Sequence, residues 1–455
     1  MNPGLVIKLR PTGPWRIGPD SGARNRIDSV YHSDSLFGAV TWAMTRLGSL
    51  EPWLDATVRS SAPAVSFASC FPFLDEIGFV IPPRTIWPPS SPGLMSARVR
   101  WKSARFVPLG IVQAILSGQR LDPNHWQVDG PSECLLPVGR PGPFVTSVRW
   151  NAAVDRLSGA AERHSVACIE FRPGAGLWTL ASFADEEARD RWQRDVMTAF
   201  RVLADSGFGG ERSRGWGRSE APEFIEGALP DMLMGPAGPA PSLGAEGEGA
   251  AGGGEGEEKS EIPEIPDEEV TTPAPEIQVT TPAPDEEVTT PAPEIPRMVP
   301  EELGAPAEAV AAAPEEIVPT PEPELHPETP PAVPEAVEAA PEPPHIPEPE
   351  PEPEPQPPMP SGVHAYWLLS LYVPGAGDTV DWQRGNYTVA ARGGRVDSPA
   401  GSGELKKQVQ MVTEGSVLHA ASDPRGAAVN VAPDGFAHPV LRAGFAVAVR
   451  LPEVR

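Results

Sequence analysis

Cysteine is scarce in this 455-residue sequence: Cys70, Cys134 and Cys168 are odd in number, lie far apart and form no C-x-x-C pair. Such usage argues against a zinc site and for a reducing compartment. Long apolar runs are missing as well, so no segment is expected to span a bilayer. The opening MNPGLVIKLRP has none of the apolar core that a signal peptide needs. A soluble, cytoplasmic protein is the expectation, with no metal, no cofactor and no membrane partner.

One segment lacks more. Residues 231–360 contain no Phe, Trp or Tyr, and their only basic residues are Lys259 and Arg297. The same stretch holds 31 of the 62 acidic residues and 33 of the 60 prolines. Without aromatics to bury, and with proline removing backbone donors, it cannot repay the entropy of ordering and is expected to be a disordered linker. It carries VTTPAP three times, from Val270, Val279 and Val288, a period too short and too rich in proline for a solenoid. Its end, EPEPEPEPQPP, reads as stiff polyproline. Setting the segment aside reverses the charge. The formal −26 of the whole chain becomes +3 for the rest, which holds 34 basic and 31 acidic residues. A nucleic-acid partner, which the whole-chain value would forbid, is thereby open to residues 1–230 and 361–455.

The flanks read as α+β. LVIKLR (Leu5 to Arg10) is an expected buried strand, and HSDSLFGAVTWAMTRLG places Leu36, Phe37, Val40, Met44 and Leu47 at helical spacing. Ser33 or Asp34 can cap that helix and Gly48 can end it. Residues 63–110 read as irregular, rich in proline and tryptophan. PFVTSVRW and HSVACIEFRP are expected strands around a hairpin-like NAAVDRLSGAAER, and GLWTLASF is another strand. A second helix is expected from Glu186 to Asp205, with Asp185, Glu186 and Glu187 at its positive end and Gly207 at its C-cap. Strand, helix, strands, helix, strand suits a ferredoxin-like sandwich. After the linker, AYWLLSLYV, YTVAARGG, KKQVQMV, SVLHA and FAVAVRL predict a helix-poor sheet domain.

GFGGERSRGWGR, residues 207–218, is the segment most suggestive of chemistry. It is no dinucleotide fingerprint, because its glycines follow a helix and precede a strand, and no P-loop, because Trp216 stands after Gly215. What it contains is G-x-G-x5-G-x-G: Gly207 and Gly209, then Gly215 and Gly217, with Gly210 between. Phe208 and Trp216 fill the single gaps, and Arg212, Arg214 and Arg218 supply charge. Glycines let backbone N–H groups approach a phosphate, arginine forks neutralise it, and aromatics cover a splayed base. Single-stranded RNA is the ligand that wants all three. The plainer alternative is a hairpin in which Trp216 is core and Arg212 pairs with Glu211.

This loop, after the second helix of a ferredoxin-like domain, resembles the glycine-rich loop of the RAMP superfamily of CRISPR proteins. YHSDSLFGAVTWA (31–43), VDRLSG (154–159), KKQVQMVTEGSVL (406–418) and HPVLRAG (438–444) narrow the resemblance. In this order they resemble the fourth-subunit family of the Csm complex, a type III-A effector. The resemblance implies two ferredoxin-like (RRM-like) domains, residues 1–230 and 361–455, separated by the acidic, proline-rich insertion. It also implies a non-catalytic subunit that holds the 5′ handle of the guide RNA (crRNA). Its expected neighbours are the large cyclase-bearing subunit and the first copy of the backbone RAMP subunit. The long insertion departs from the family pattern.

His32 admits two functional readings. Related RAMP nucleases place a general-base histidine at the mouth of the first helix, where it would take a 2′-hydroxyl proton in metal-free cleavage of precursor RNA. Alternatively His32 and Ser33 cap the helix or meet a phosphate there. Asp34 reads as a dipole partner rather than a metal ligand. Arg156, beside Asp155, and the pair Lys406 and Lys407 are further expected RNA contacts. Trp101, Lys102 and Arg105 form a basic, aromatic stretch that either touches RNA or covers a core. Glu414 with Ser416 reads as a turn or contact rather than a dyad.

Overall fold

Alternation in the first strand sets the architecture. In β1 (Asn2–Leu9), Leu5, Ile7 and Leu9 are fully buried, as a strand covered on that face requires. The computed structural model describes residues 2–18, 23–90, 94–157, 159–229, 231–234, 362–398 and 401–452. The chain divides into two units, Met1–Glu248 with Pro355–Arg455, and Gly249–Glu354; every described residue lies in the first. The expected disordered linker therefore falls outside the described residues.

After β1 come α1 (Ser33–Leu47), β2 (Phe71–Leu74), β3 (Ala175–Phe183), α2 (Glu186–Ser206) and β4 (Glu223–Leu229). The strands pair antiparallel in the order β4-β1-β3-β2, and Ile77–Val80 and Val107–Pro108 extend the sheet past β2. Each helix thus links two strands separated by a third. α1 and α2 pack on each other through apolar stripes that include Val40 and Met44 on one and Val196 and Leu203 on the other. Trp53 fills the space beside them, with ring centroids 5.6 Å from Phe37 and 5.4 Å from Trp192.

Both caps match the sequence pattern. Gly48 takes φ 75° and its N–H donates to helix carbonyls, while the Asp185 carboxylate accepts from the Ala188 N–H. Residues 63–110, expected to be irregular, instead carry strands Val65–Phe67, Phe71–Leu74 and Ile77–Val80 and a short helix, Met95–Trp101. The first two strands are buried throughout, so their residues show no polar alternation to read. The hairpin is also longer than expected: Phe144–Val154 pairs with Ala161–Phe171 along its whole length, leaving only residues 155–160 as the connection.

The C-terminal residues build a second antiparallel sheet and, among the described residues 362–452, no helix. Its strands β5 (His364–Leu368), β6 (Val380–Asn386), β7 (Val417–Ala420) and β8 (Ala448–Arg450) lie in the order β6-β7-β5-β8. One apolar core runs through both parts: Phe37 of α1 meets Phe445 at 5.3 Å, and Trp367 and Val417 join the cluster formed by β1 and β3.

Truncating Trp53 to Ala should cost about 3–5 kcal/mol in a urea unfolding experiment. Trp150→Ala, at a site 65% exposed, should stay within about 0.5 kcal/mol of the parent. Equal effects would contradict the core described above.

Candidate nucleic-acid interface

The glycine loop begins where α2 ends. Gly207 turns the chain at φ 73°, and a Cβ there would sit 2.5 Å from the Trp216 carbonyl oxygen. At Gly217, with φ 78°, a Cβ would meet the Phe208 carbonyl oxygen at 2.1 Å. These two positions need glycine because the arms of the loop cross backbone against backbone. The loop is then sewn to the segment before α1: the Gly210 N–H donates to the Arg16 carbonyl (2.8 Å) and the Gly217 N–H to the Pro14 carbonyl (3.0 Å). Gly207, Phe208 and Gly215 donate within the loop or to the helix end. The expectation that these N–H groups cradle a phosphate is corrected here, since they are spent on the fold. Gly209 approaches the Arg16 carbonyl as well.

The side chains divide sharply. Phe208, expected to cover a base, is 1% exposed and sits edge-on to Trp15 (4.6 Å) and Tyr31 (5.1 Å). An apolar ring beside two buried aromatics gains more from the core than from solvent. Trp216 is half-buried, whereas Arg212, Arg214 and Arg218 are exposed. Glu211 pairs with Arg214 (2.8 Å), not with Arg212. Arg212 instead lies over the ring of Trp42 in α1, 5.6 Å from its centroid. An open depression lined by Trp42, Ser206, Gly209, Glu211, Arg212 and Ser213 separates the loop from the helix. Trp42 was not among the sequence candidates; only its place on the less apolar side of α1 distinguishes it.

His32 and Ser33 lie elsewhere, at a buried junction with the C-terminal part. The His32 Nδ1–H donates to Glu414 (2.7 Å) and its Nε2–H to Asp28 (3.0 Å). The Ser69 hydroxyl donates to the same Glu414 carboxylate, and Arg105 closes on Asp28 (3.2 Å). Burial alone would lower the His32 pKa; the Glu414 and Asp28 carboxylates more than reverse this and hold it at about 10. For Glu414 burial raises the pKa, but the His32 imidazolium outweighs it and keeps the carboxyl below its ordinary range. Ser33 does not cap the helix. Its Oγ accepts the Leu371 N–H (2.9 Å) and its own N–H donates to Ser69 (2.9 Å). Both residues were expected to meet RNA; their partners and burial withdraw them from that surface.

Asp34 extends the junction. Its carboxylate binds Arg392 (3.0 and 3.1 Å) and Arg442, so it anchors two arginines rather than a metal. Among the described residues no group of three or more His, Cys, Asp or Glu could hold a metal ion. Glu414 belongs to a tight turn in which Gly415 takes φ 81° against Ile81 and Pro82, as its reading as a turn or contact had it.

The remaining candidates are scattered. Arg156 is exposed at the hairpin tip, where the Asp155 carboxylate accepts the Leu157 N–H (3.0 Å). Lys406 and Lys407 lie between two strands, with Lys406 half-buried and Lys407 paired with Asp434 (2.6 Å). Trp101 is core, stacked on Trp87 at 5.7 Å, while Lys102 beside it is exposed. No helix among the described residues is long and apolar enough to cross a membrane.

Residues 362–451 match the family model of the CRISPR Csm4 C-terminal domain. No curated protein matches the chain in sequence. Among solved structures, the chain is similar to one from a Csm3–Csm4 subcomplex of the type III-A CRISPR-Cas interference complex. The identity is 10%, all of both chains is covered and the TM-score is 0.48. It is similar as well to a chain of a Csm1–Csm4 cassette in complex with cA4, at 13% identity over 100% of this chain and 99% of that one, with a TM-score of 0.43.

The junction makes a prediction about pH. Because the His32 pKa is raised in the folded state, its contribution is complete below the ordinary value of 6.5 and is lost as pH rises through about 10. The urea midpoint should fall between those limits, and this fall should be weaker in the double variant His32→Leu with Glu414→Leu. His32→Ala alone, which strands a buried carboxylate, should cost about 3–5 kcal/mol.

Proposed function

Residues 362–451 make the chain a member of the Csm4 family. From that premise we propose that it is a non-catalytic, RNA-binding subunit of a type III-A CRISPR interference complex. In this reading it holds the 5′ handle of the guide RNA and bridges the large cyclase-bearing subunit to the backbone RAMP subunits. The family match is the observation that carries the proposal. The strand order β4-β1-β3-β2 with two helices packed together supports reading residues 1–230 as a ferredoxin-like domain. The sheet of β5 to β8 stands as the second domain, within residues 361–455.

The geometry supports a grip made by side chains. Arg212, Arg214 and Arg218 project from a loop whose backbone is already committed, and guanidinium forks bind phosphate without help from backbone donors. A rigid platform also lowers the entropy lost when its arginines are immobilised. The alternative, a metal-independent nuclease acting on precursor crRNA through His32, asks for a neutral imidazole with a free ring nitrogen. His32 donates from both nitrogens and is held protonated well above neutral pH, which supports the non-catalytic reading.

Two measurements test this. Arg212→Glu with Arg214→Glu should abolish co-purification of guide RNA with the full chain, and should flatten the salt dependence of RNA affinity by about 1.4 log units per log unit of salt. Unchanged guide recovery would overturn the reading. The purified chain, incubated with precursor RNA without metal, should leave it intact; cleavage lost in His32→Ala would restore the nuclease.

A further inference from the structure

With Phe208 in the core, the loop's own first aromatic is unavailable to a base, and the surface next to it offers another. Trp42 is half-buried on α1 and carries two guanidinium groups, Arg46 at 5.3 Å and Arg212 at 5.6 Å from the ring. Neither arginine forms an ion pair among the described residues, because Arg214 occupies Glu211. Two like charges held against one indole repel each other and are neutralised by nothing nearby, so the arrangement is favoured by an anion. The adjoining depression combines that indole with the Ser206 and Ser213 hydroxyls and the Glu211 carboxylate. It holds a flat aromatic surface, cations for a phosphate, and acceptors and donors at the height of a base edge.

We propose that this depression is a seat for one unstacked nucleobase of single-stranded RNA, with Trp42 as its platform. The inference rests on the RNA-binding reading above and adds to it a binding residue. The base stacks on the Trp42 and Arg212 planes, which accept any base because every base has a π face. The neighbouring phosphate meets the freed guanidinium edges, and Glu211 and Ser213 face the base edge. The lining names a single apolar side chain, Trp42, which suits a nucleobase and leaves little for the apolar anchor of a protein partner to fill.

The test uses the full chain and a fluorescein-labelled single-stranded RNA of about eight nucleotides, within the range that such surfaces cover. Single abasic substitutions are scanned along the strand. One position should weaken binding to the parent protein by about 5- to 100-fold. In Trp42→Ala the same abasic substitution should change affinity by less than about twofold, because the base has already lost its platform. Trp42→Phe should recover the position-specific loss, and Trp42→Met, which keeps volume without a π face, should not. The Met variant decides the matter if the Ala variant does not fold. A flat scan of the parent, or a full position-specific loss persisting in Trp42→Met, overturns the seat. If the scan is flat while Arg212→Glu with Arg214→Glu still abolishes binding, the seat alone fails. If that charge reversal also leaves binding unchanged, the RNA-binding reading fails with it.

Discussion

A buried ionic junction at the mouth of α1 holds the two parts of the described chain in register. His32, Arg105, Arg392 and Arg442 face Asp28, Asp34 and Glu414, drawn from segments as far apart as residues 28 and 442. Isolated, each of these buried charges would be costly; together they leave little net charge, and hydrogen bonds reach most of their polar atoms. Replacing such a cluster by apolar residues is often neutral in stability, so its value lies in geometry. An apolar seam tolerates sliding, whereas an imidazolium donating to two carboxylates at once fits one arrangement. Residues 31–35 and 413–416, far apart in sequence, are therefore a single structural unit.

The junction also decides what the nearby histidine can do. A group with both ring nitrogens committed to carboxylates cannot take a proton from a hydroxyl, wherever it sits relative to RNA. The same logic applies to the glycine loop. Its crossing arms and its ties to residues 14 and 16 use up the backbone donors, so affinity for an anion must come from arginine side chains. A phosphate cradle and a well-packed loop compete for the same N–H groups, and in this chain packing has taken them.

What was legible in the sequence follows the reach of each physical signal. The two long helices and their caps were visible because periodicity, a terminal glycine and an acidic first turn are local. The strands at Val65–Phe67 and Phe71–Leu74 were hidden, since burial on both faces erases alternation and proline mimics a loop. His32 and Glu414 lie 382 residues apart, and no one-dimensional pattern carries that pairing. Phe208 misled for a related reason. Its neighbours in sequence are glycines and charges, but its neighbours in space are Trp15 and Tyr31. Trp42, by contrast, sits within a helix that was read correctly, and only the loop folding over it gives it an interface role.

Charge shows the same difference between local and global description. A formal −26 argues against an RNA partner only if each phosphate experiences the whole chain, and mobile ions prevent that beyond about 8 Å at physiological ionic strength. Within that distance the local inventory matters. Residues 207–218 carry three arginines and one glutamate, and that glutamate is paired with one of them. Arg46 adds a further cation on the opposite side of Trp42 from the chain's point of view, one from the helix and one from the loop. Net charge thus speaks to solubility and to long-range approach, while recognition depends on the few unpaired guanidinium groups that the fold leaves beside an aromatic ring.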